Sequence, residues 1–378
     1  MSKRLYYVDW LRVGAVLLLF PFHTWRVFNA GDPFYVKSPY ASGAINYVIG
    51  FLDVWHMPLL FALAGASTYF ALRKRSGLQY AGERVMRLGV PWLFGFLALI
   101  PPQTWYGAQF NRGLGYGESF WSYMANGRFL VWNLQGGGDY YGGFGMGQLW
   151  FIFYLFFIAL FSLPLLLWWR SEGGQKHAAR FSRALSHPAF GWLLAAVVIL
   201  IGEVLPSPIE DKRFFMDMGL FILGYATMAD ETFMERAERY RWPLLTLGLT
   251  ATLFSSLTGD FRDSFPDPSL PLLGLALVLF GGIWLVIAGL LGMGRRHLDR
   301  PSRALSYLGE ASYPLYILHQ TVIVMVAYYL IGMPGPWAVQ WLALLAIVVA
   351  VTFGLYEVVR RVGVLRFLFG MRPSRREA

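Results

Sequence analysis

The stretch VDWLRVGAVLLLFPFHTWRVF, residues 8–28, decides how the chain is read. It has the length, about 20 residues, that a helix needs to cross a bilayer. Yet it carries Arg12 and His23. A charged side chain in hydrocarbon costs roughly 3 kcal/mol on insertion scales, so it persists mainly where it has work to do. Eleven steps of about 100° return to within roughly 20° of the starting face, and at about 1.5 Å rise they separate the two residues by some 16 Å. One side of one helix therefore offers a fixed cation near a membrane surface and an imidazole deep inside, which suits a long anionic ligand threaded end-on. Asp9, three residues before Arg12, is placed to hold the guanidinium. Pro21 removes a backbone donor and is expected to kink the helix, freeing a carbonyl to line a polar cavity.

Composition supports a membrane protein throughout. Hydrophobic residues make up 56% of 378 and charged residues 14%, against about 25% charged in a soluble domain. Mean hydropathy is +0.47. The chain has no cysteine, which excludes disulfides, thiolate metal sites and a thiol nucleophile. A formal net charge of +10 would suit nucleic acid, but the basic residues lie in loops between apolar spans, so no nucleic-acid partner is expected. No cleavable signal peptide is expected either, because the first apolar run contains Arg12 and lacks a small-residue cleavage site.

Apolar runs of about 20 residues mark candidate spans. They lie near 8–28, 46–72, 88–108, 148–169, 189–206, 214–230, 242–258, 270–292, 312–332 and 337–359. The expected fold is an all-α polytopic membrane protein of about ten transmembrane helices, read here from span length. It forms a single domain over 1–378, with both termini cytoplasmic. Basic residues test the orientation: Lys3 and Arg4, Arg73 to Arg87, Arg170 to Arg183, Arg236 to Arg241, Arg295 to Arg303, and Arg360 to Arg376 would all face the cytoplasm, and together they hold most of the lysines and arginines. Runs 189–206 and 214–230 are the shortest and flank a charged patch, Glu210, Asp211, Lys212 and Arg213. Residues 109–147 form the notable extracytoplasmic segment, rich in glycine and aromatics and including Gly136 and Gly137. It reads as an interfacial re-entrant piece or as a glycan-facing surface.

Further polar groups lie inside spans. Asp53 and His56, three apart, share a helical face on which the carboxylate can orient the imidazole. Pro58 and the small residues Ala62, Ala64, Gly65, Ala66 and Ser67 follow, suited to close helix approach. His319 sits in the ninth span. The histidines lack the paired spacing of a zinc or iron site, so no metal is expected. Arg84 and Arg87, at the cytoplasmic start of the third span, share a face if helical, and guanidinium forks suit phosphate. The same pair is also what simple orientation by positive charge would supply.

Several of these residues together resemble the integral-membrane acyltransferase family 3. The resemblance rests on Tyr7-Val8-Asp9-Trp10-Leu11-Arg12 with His23 after ten residues, and on Asp53 to Gly65. It continues through Arg84-x-x-Arg87 into Pro91, Gln148-Leu149-Trp150-Phe151, and Ser312-Tyr313-Pro314-Leu315-Tyr316 up to His319. Pro21-Phe22-His23, Arg87 to Pro91 and Ile100 to Gln103 are most similar to the glucan-modifying branch.

The resemblance implies a relay of acyl groups from cytoplasmic acyl-coenzyme A, acetyl or succinyl, to a hydroxyl on an extracytoplasmic glycan or other envelope molecule. It implies a multi-pass protein of a bacterial cytoplasmic membrane. It places the catalytic histidine and its arginine at His23 and Arg12, and the Arg-x-x-Arg motif at Arg84 and Arg87. Asp53, His56, Trp150, Tyr316 and His319 are further candidate site residues. Coenzyme A carries phosphates at one end and a thioester at the other, so Arg84 and Arg87 could hold the phosphates, with Arg12 along the path and His23 at the thioester. His23 would act as general base or as a transient acyl carrier. A transporter or flippase for an anionic lipid or metabolite would use the same buried charges. A structural scaffold would leave them without a return.

Overall fold

The computed structural model describes residues 5–132, 138–187, 190–207, 212–257 and 269–372. Among the described residues the regular elements are helices, and one isolated bridge, Asn29 to Ser42, is the only β contact. From the N-terminus run α1 (Tyr6–Arg26), α2 (Gly43–Leu72), α3 (Gly77–Arg84), a π-helical turn (Val85–Gly89), α4 (Val90–Ala98), α5 (Ile100–Asn111) and α6 (Phe120–Ala125). There follow α7 (Trp150–Phe161), α8 (Leu163–Arg170), α9 (Glu172–Leu185), α10 (Gly191–Val204), α11 (Phe214–Ala226), α12 (Glu231–Arg239) and α13 (Arg241–Leu257). The last four are α14 (Leu270–Leu298), α15 (Arg303–Leu330), α16 (Trp337–Val359) and α17 (Gly363–Leu368).

Among the described residues, each apolar run of the sequence falls largely on helix. Five helical stretches among the described residues are long and apolar enough to cross a membrane: Gly43–Leu72, Gly77–Asn111, Leu270–Leu298, Arg303–Leu330 and Trp337–Val359. A sixth forms if Gly147–Phe161 and Leu163–Arg170, bent by 46° at their junction, act as one span. Pro164 starts the second half, where its missing N–H breaks the ladder. The shorter apolar helices α10 and α11 have 14 and 13 residues, so they run only about 20 Å against the roughly 30 Å of a hydrocarbon core. α1 has the length, 21 residues, but Asp9, Arg12, His23 and Arg26 dilute its apolar character. Pro21 lies within it and the helix continues past it as one element. The charges at Lys3, Arg4, Glu210, Asp211, Arg375 and Arg376 lie outside the described residues, as do Gly136 and Gly137.

Contacts divide the chain into two compact units, Met1–Ala15 with Gly50–Glu83 and Phe157–Ser306, and Val16–Ile49 with Arg84–Phe156 and Tyr307–Ala378. In the first unit small residues set the packing. A Cβ on Gly65 would lie 1.9 Å from the Phe221 carbonyl oxygen, and one on Gly224 would lie 2.0 Å from that of Ala62. Helices α2 and α11 thus meet backbone to backbone, the mode by which helices associate where lipid removes any hydrophobic drive between them. At one end, Arg295 bridges Glu231 at 2.6 Å and Glu238 at 3.0 Å, tying α14 to α12.

In the second unit, the end of α1 is held by α16. Trp25 stacks on Trp341 with centroids 5.4 Å apart, and the Trp341 indole donates to Thr24 Oγ1 at 3.1 Å. The glycine- and aromatic-rich segment is folded onto α5. The Asn111 side-chain amide donates to the carbonyls of Phe34 at 3.0 Å and Tyr140 at 2.9 Å, and the Tyr123 hydroxyl donates to that of Gly142 at 2.6 Å. The Tyr35 hydroxyl donates to Asp139, and its ring meets Tyr140 edge-on at 4.7 Å.

Candidate functional site

Two histidines meet inside the second unit. α1 presents His23 and α15 presents His319, with ring centroids 5.0 Å apart and planes inclined by 48°. Phe22 packs edge-on against His23 at 5.0 Å, and Phe20 covers His319 at 5.9 Å. His319 is fully buried. Its Nδ1 donates to the Tyr316 carbonyl one turn back, at 2.6 Å. A carbonyl only accepts, so in the neutral ring Nδ1 carries the proton and Nε2 the lone pair. The Tyr316 ring lies 5.9 Å from His319, and its hydroxyl donates to the Gln148 carbonyl at the entry to α7. Trp150 stands edge-on to Tyr154 at 5.8 Å, while Phe151 is the α7 ring that meets Tyr316, at 5.6 Å.

The two arginines stand at the π-helical turn. Arg84 closes α3 and Arg87 lies within the turn, where the Val90 N–H reaches back to the Val85 carbonyl. That wider turn holds one residue more than an α-turn, so the pair departs from the ordinary i, i+3 register expected from its spacing. Such turns recur at functional sites. Arg84 acts electrostatically on the phenol of Tyr313, whose buried hydroxyl has no hydrogen-bond partner among the described residues. Behind the turn, Gly370 has a φ of +65, and a Cβ there would lie 2.8 Å from the Arg87 carbonyl and 2.9 Å from the Tyr313 ring. Only glycine fits so close an approach in that conformation.

The first unit holds the other sequence candidates. Arg12 Nη2 pairs with Asp9 across one turn of α1, the arginine side chain 40% exposed and the carboxylate 16%. His56 Nε2 donates to the Ala15 carbonyl at 2.6 Å, so this buried imidazole ties α2 to α1. Asp53 is exposed one turn earlier and acts on His56 through its charge.

Known proteins match the chain along most of its length. The family model of an acyltransferase domain, acyltransferase family 3, matches residues 5–357. The chain belongs to acyltransferase family 3. Glucans biosynthesis protein C of Salmonella typhimurium strain LT2 is 23% identical, over 100% of this chain and 97% of its own. The proteins of that name from Salmonella paratyphi A strain ATCC 9150 and from Salmonella typhi are each 23% identical, over 98% of this chain and 96% of their own. No solved structure matches. The molecule is an acyltransferase of the membrane, and the family match takes in stretches of both units.

Ionisable residues in apolar runs are what single out candidates in a family 3 sequence, and that criterion passes over neutral amides. Gln103 on α5 and Gln148 before α7 are both buried, and both connect to Thr321 on α15, two residues beyond His319. Their signal in the sequence is a glutamine within or beside an apolar run, at Pro102-Gln103-Thr104 and Gly147-Gln148-Leu149.

Proposed function

We propose that this acyltransferase moves an acetyl or succinyl group from cytoplasmic acyl-coenzyme A to a hydroxyl of an extracytoplasmic glycan, with His23 as general base. The observation that carries the reading is the packing of His23 on the buried His319, on a helix that also bears the Arg12–Asp9 pair. Packing a half-buried imidazole on a fully buried one is costly unless the two handle protons. A glycan acceptor is supported by relatives named for glucan biosynthesis. The reading includes ten crossings of a bacterial inner membrane with both termini cytoplasmic, the arrangement in which basic loops face inward.

Along α15 the groups follow in an order that suits an extended donor. Tyr313, beside Arg84, comes first, then Tyr316, then His319 against His23. Arg84 and Arg87 are the residues suited to the donor's phosphates, where guanidinium forks are favoured over lysine. His23 takes the proton of the acceptor hydroxyl as its oxygen attacks the thioester carbonyl. The C–S bond then breaks, and the coenzyme thiolate takes the proton from the imidazolium. His319 holds the His23 ring in place, and Asp9 orients Arg12.

The test is release of free coenzyme A by the purified protein in nanodiscs, offered acetyl- or succinyl-coenzyme A with and without soluble glucan. His23→Ala should lower glucan-dependent release by about 10²–10⁴-fold, the usual worth of a positioned base, while retaining the wild-type melting profile. Undiminished release by that variant would sink the assignment. An acyl group retained on His23 after incubation with donor alone would change its role from base to carrier.

A further inference from the structure

Beyond the imidazole pair, the second unit contains two buried amides whose hydrogen-bonding capacity is only partly used. Thr321 Oγ1 lies 3.2 Å from Gln103 Oε1 and 3.4 Å from Gln148 Nε2. Gln148 Nε2 also donates to the Ile317 carbonyl at 2.8 Å. The Ile317 carbonyl only accepts, so it fixes Gln148 with its side-chain oxygen left over; the Thr321 hydroxyl, which also lies 3.3 Å from the Leu99 carbonyl, meets Gln103 Oε1, and the Gln103 NH₂ is turned toward the Tyr35 hydroxyl. Gln103 Nε2 and Gln148 Oε1 have no hydrogen-bond partner among the described residues, although the two side chains are 0% and 3% exposed. The Gln103 amide edge approaches the Tyr35 hydroxyl. That phenol donates its own proton to Asp139. An NH₂ group has two hydrogens, so even a contact with Tyr35 leaves one unused.

Leaving a buried donor or acceptor unmade costs about 1–3 kcal/mol each, and this pair sits on either side of one threonine. An unused donor and an unused acceptor on two amides that share one threonine match a group that both accepts and donates, which a hydroxyl does. We propose that Gln103 and Gln148 bind a hydroxyl of the acceptor, Gln103 Nε2 donating to its oxygen region and Gln148 Oε1 accepting from a hydroxyl proton. This rests on the transfer reaction proposed above and names its acceptor subsite. The alternative source of such a group is the amide-bearing arm of the donor. Position favours the acceptor: Thr321 lies eight residues, about 12 Å along α15, beyond Tyr313 and Arg84. From Thr321 the polar chain runs on through Gln103 and Tyr35 to Asp139 of the glycine-rich segment.

Gln103→Glu keeps the oxygen that accepts from Thr321 and replaces the free NH₂ with an oxygen; Gln103→Met removes both. Binding to the purified protein in nanodiscs is measured with soluble glucan and, separately, with free pantetheine, so the readout does not depend on turnover. Both variants should weaken glucan binding about 5- to 150-fold, the range for a lost hydrogen bond that leaves its partner unpaired, with pantetheine binding unchanged. Where turnover is measured, KM for glucan rises and KM for the acyl donor does not. Unchanged glucan binding in both variants overturns the proposal, and so does a loss confined to pantetheine. A wild type that binds glucan through Gln103 but releases no coenzyme A counts against the transfer reaction and leaves the subsite standing. Unfolding of one variant is recognised from its melting profile, and the other then decides.

Discussion

Lys37, in the loop between α1 and α2, shows how one side chain can hold a loop at an electrostatic cost. Its Nζ donates to the carbonyls of Arg26, at 3.1 Å, and Asn29, and to Asn29 Oδ1 at 2.8 Å. Burial, then the Arg26 charge, lower its pKa from 10.5 to about 8, with Asp32 opposing them. Between those two values the unfolded chain holds the proton more firmly than the folded one, so this residue's contribution to stability increases as pH rises from 8 towards 10.5. The melting temperature of wild type relative to Lys37→Met should therefore climb over that interval; a flat difference would show that Lys37 titrates normally. The residue scale also shows where sequence falls short. Arg12, His23 and Asp9 stand out because charge in an apolar run is conspicuous. The meeting of His23 with His319 is invisible there, since nothing local says which helix faces α1. Gln103 is harder still, being uncharged.

At the scale of elements, α2 and α11 are fitted to each other through Gly65 and Gly224. Gly65→Ala places a methyl where a backbone oxygen already stands, so the helices must separate, at a cost of about 1–3 kcal/mol or more. Gly354→Ala, in α16 with nothing within 4 Å of its added Cβ, should be neutral or stabilise by up to about 1 kcal/mol through helix propensity. Thermal unfolding of the two variants in one detergent compares them, and equal midpoints would refute the tight contact. The small-residue run that includes Ala62 and Gly65 signals close approach in sequence. The partner, α11, does not follow from it. The π-helical turn is hidden for another reason: Val85-Met86-Arg87-Leu88-Gly89 has the composition of ordinary helix, and only tertiary packing selects the wider ladder.

For the whole molecule, apolar runs give the helices directly, because hydrocarbon demands internally satisfied backbone. They leave the number of crossings open where a run is short, as at α10 and α11. On the proposed arrangement, a fluorescent protein fused to either end should fold and fluoresce, and a phosphatase inserted in the segment 109–147 should be active. Termini on opposite faces would show an odd number of crossings. The division into two compact units also escapes the sequence, since each unit is assembled from three separate stretches of chain.

In genetic terms the π-helical turn at Val85–Gly89 is equivalent to a helix lengthened by one codon. Removing one residue there restores the ordinary ladder and resets the angle between Arg84 and Arg87 around the axis. The aim of those two guanidinium groups is thus written in chain length rather than in side-chain identity, and no substitution can imitate what a single deletion would do.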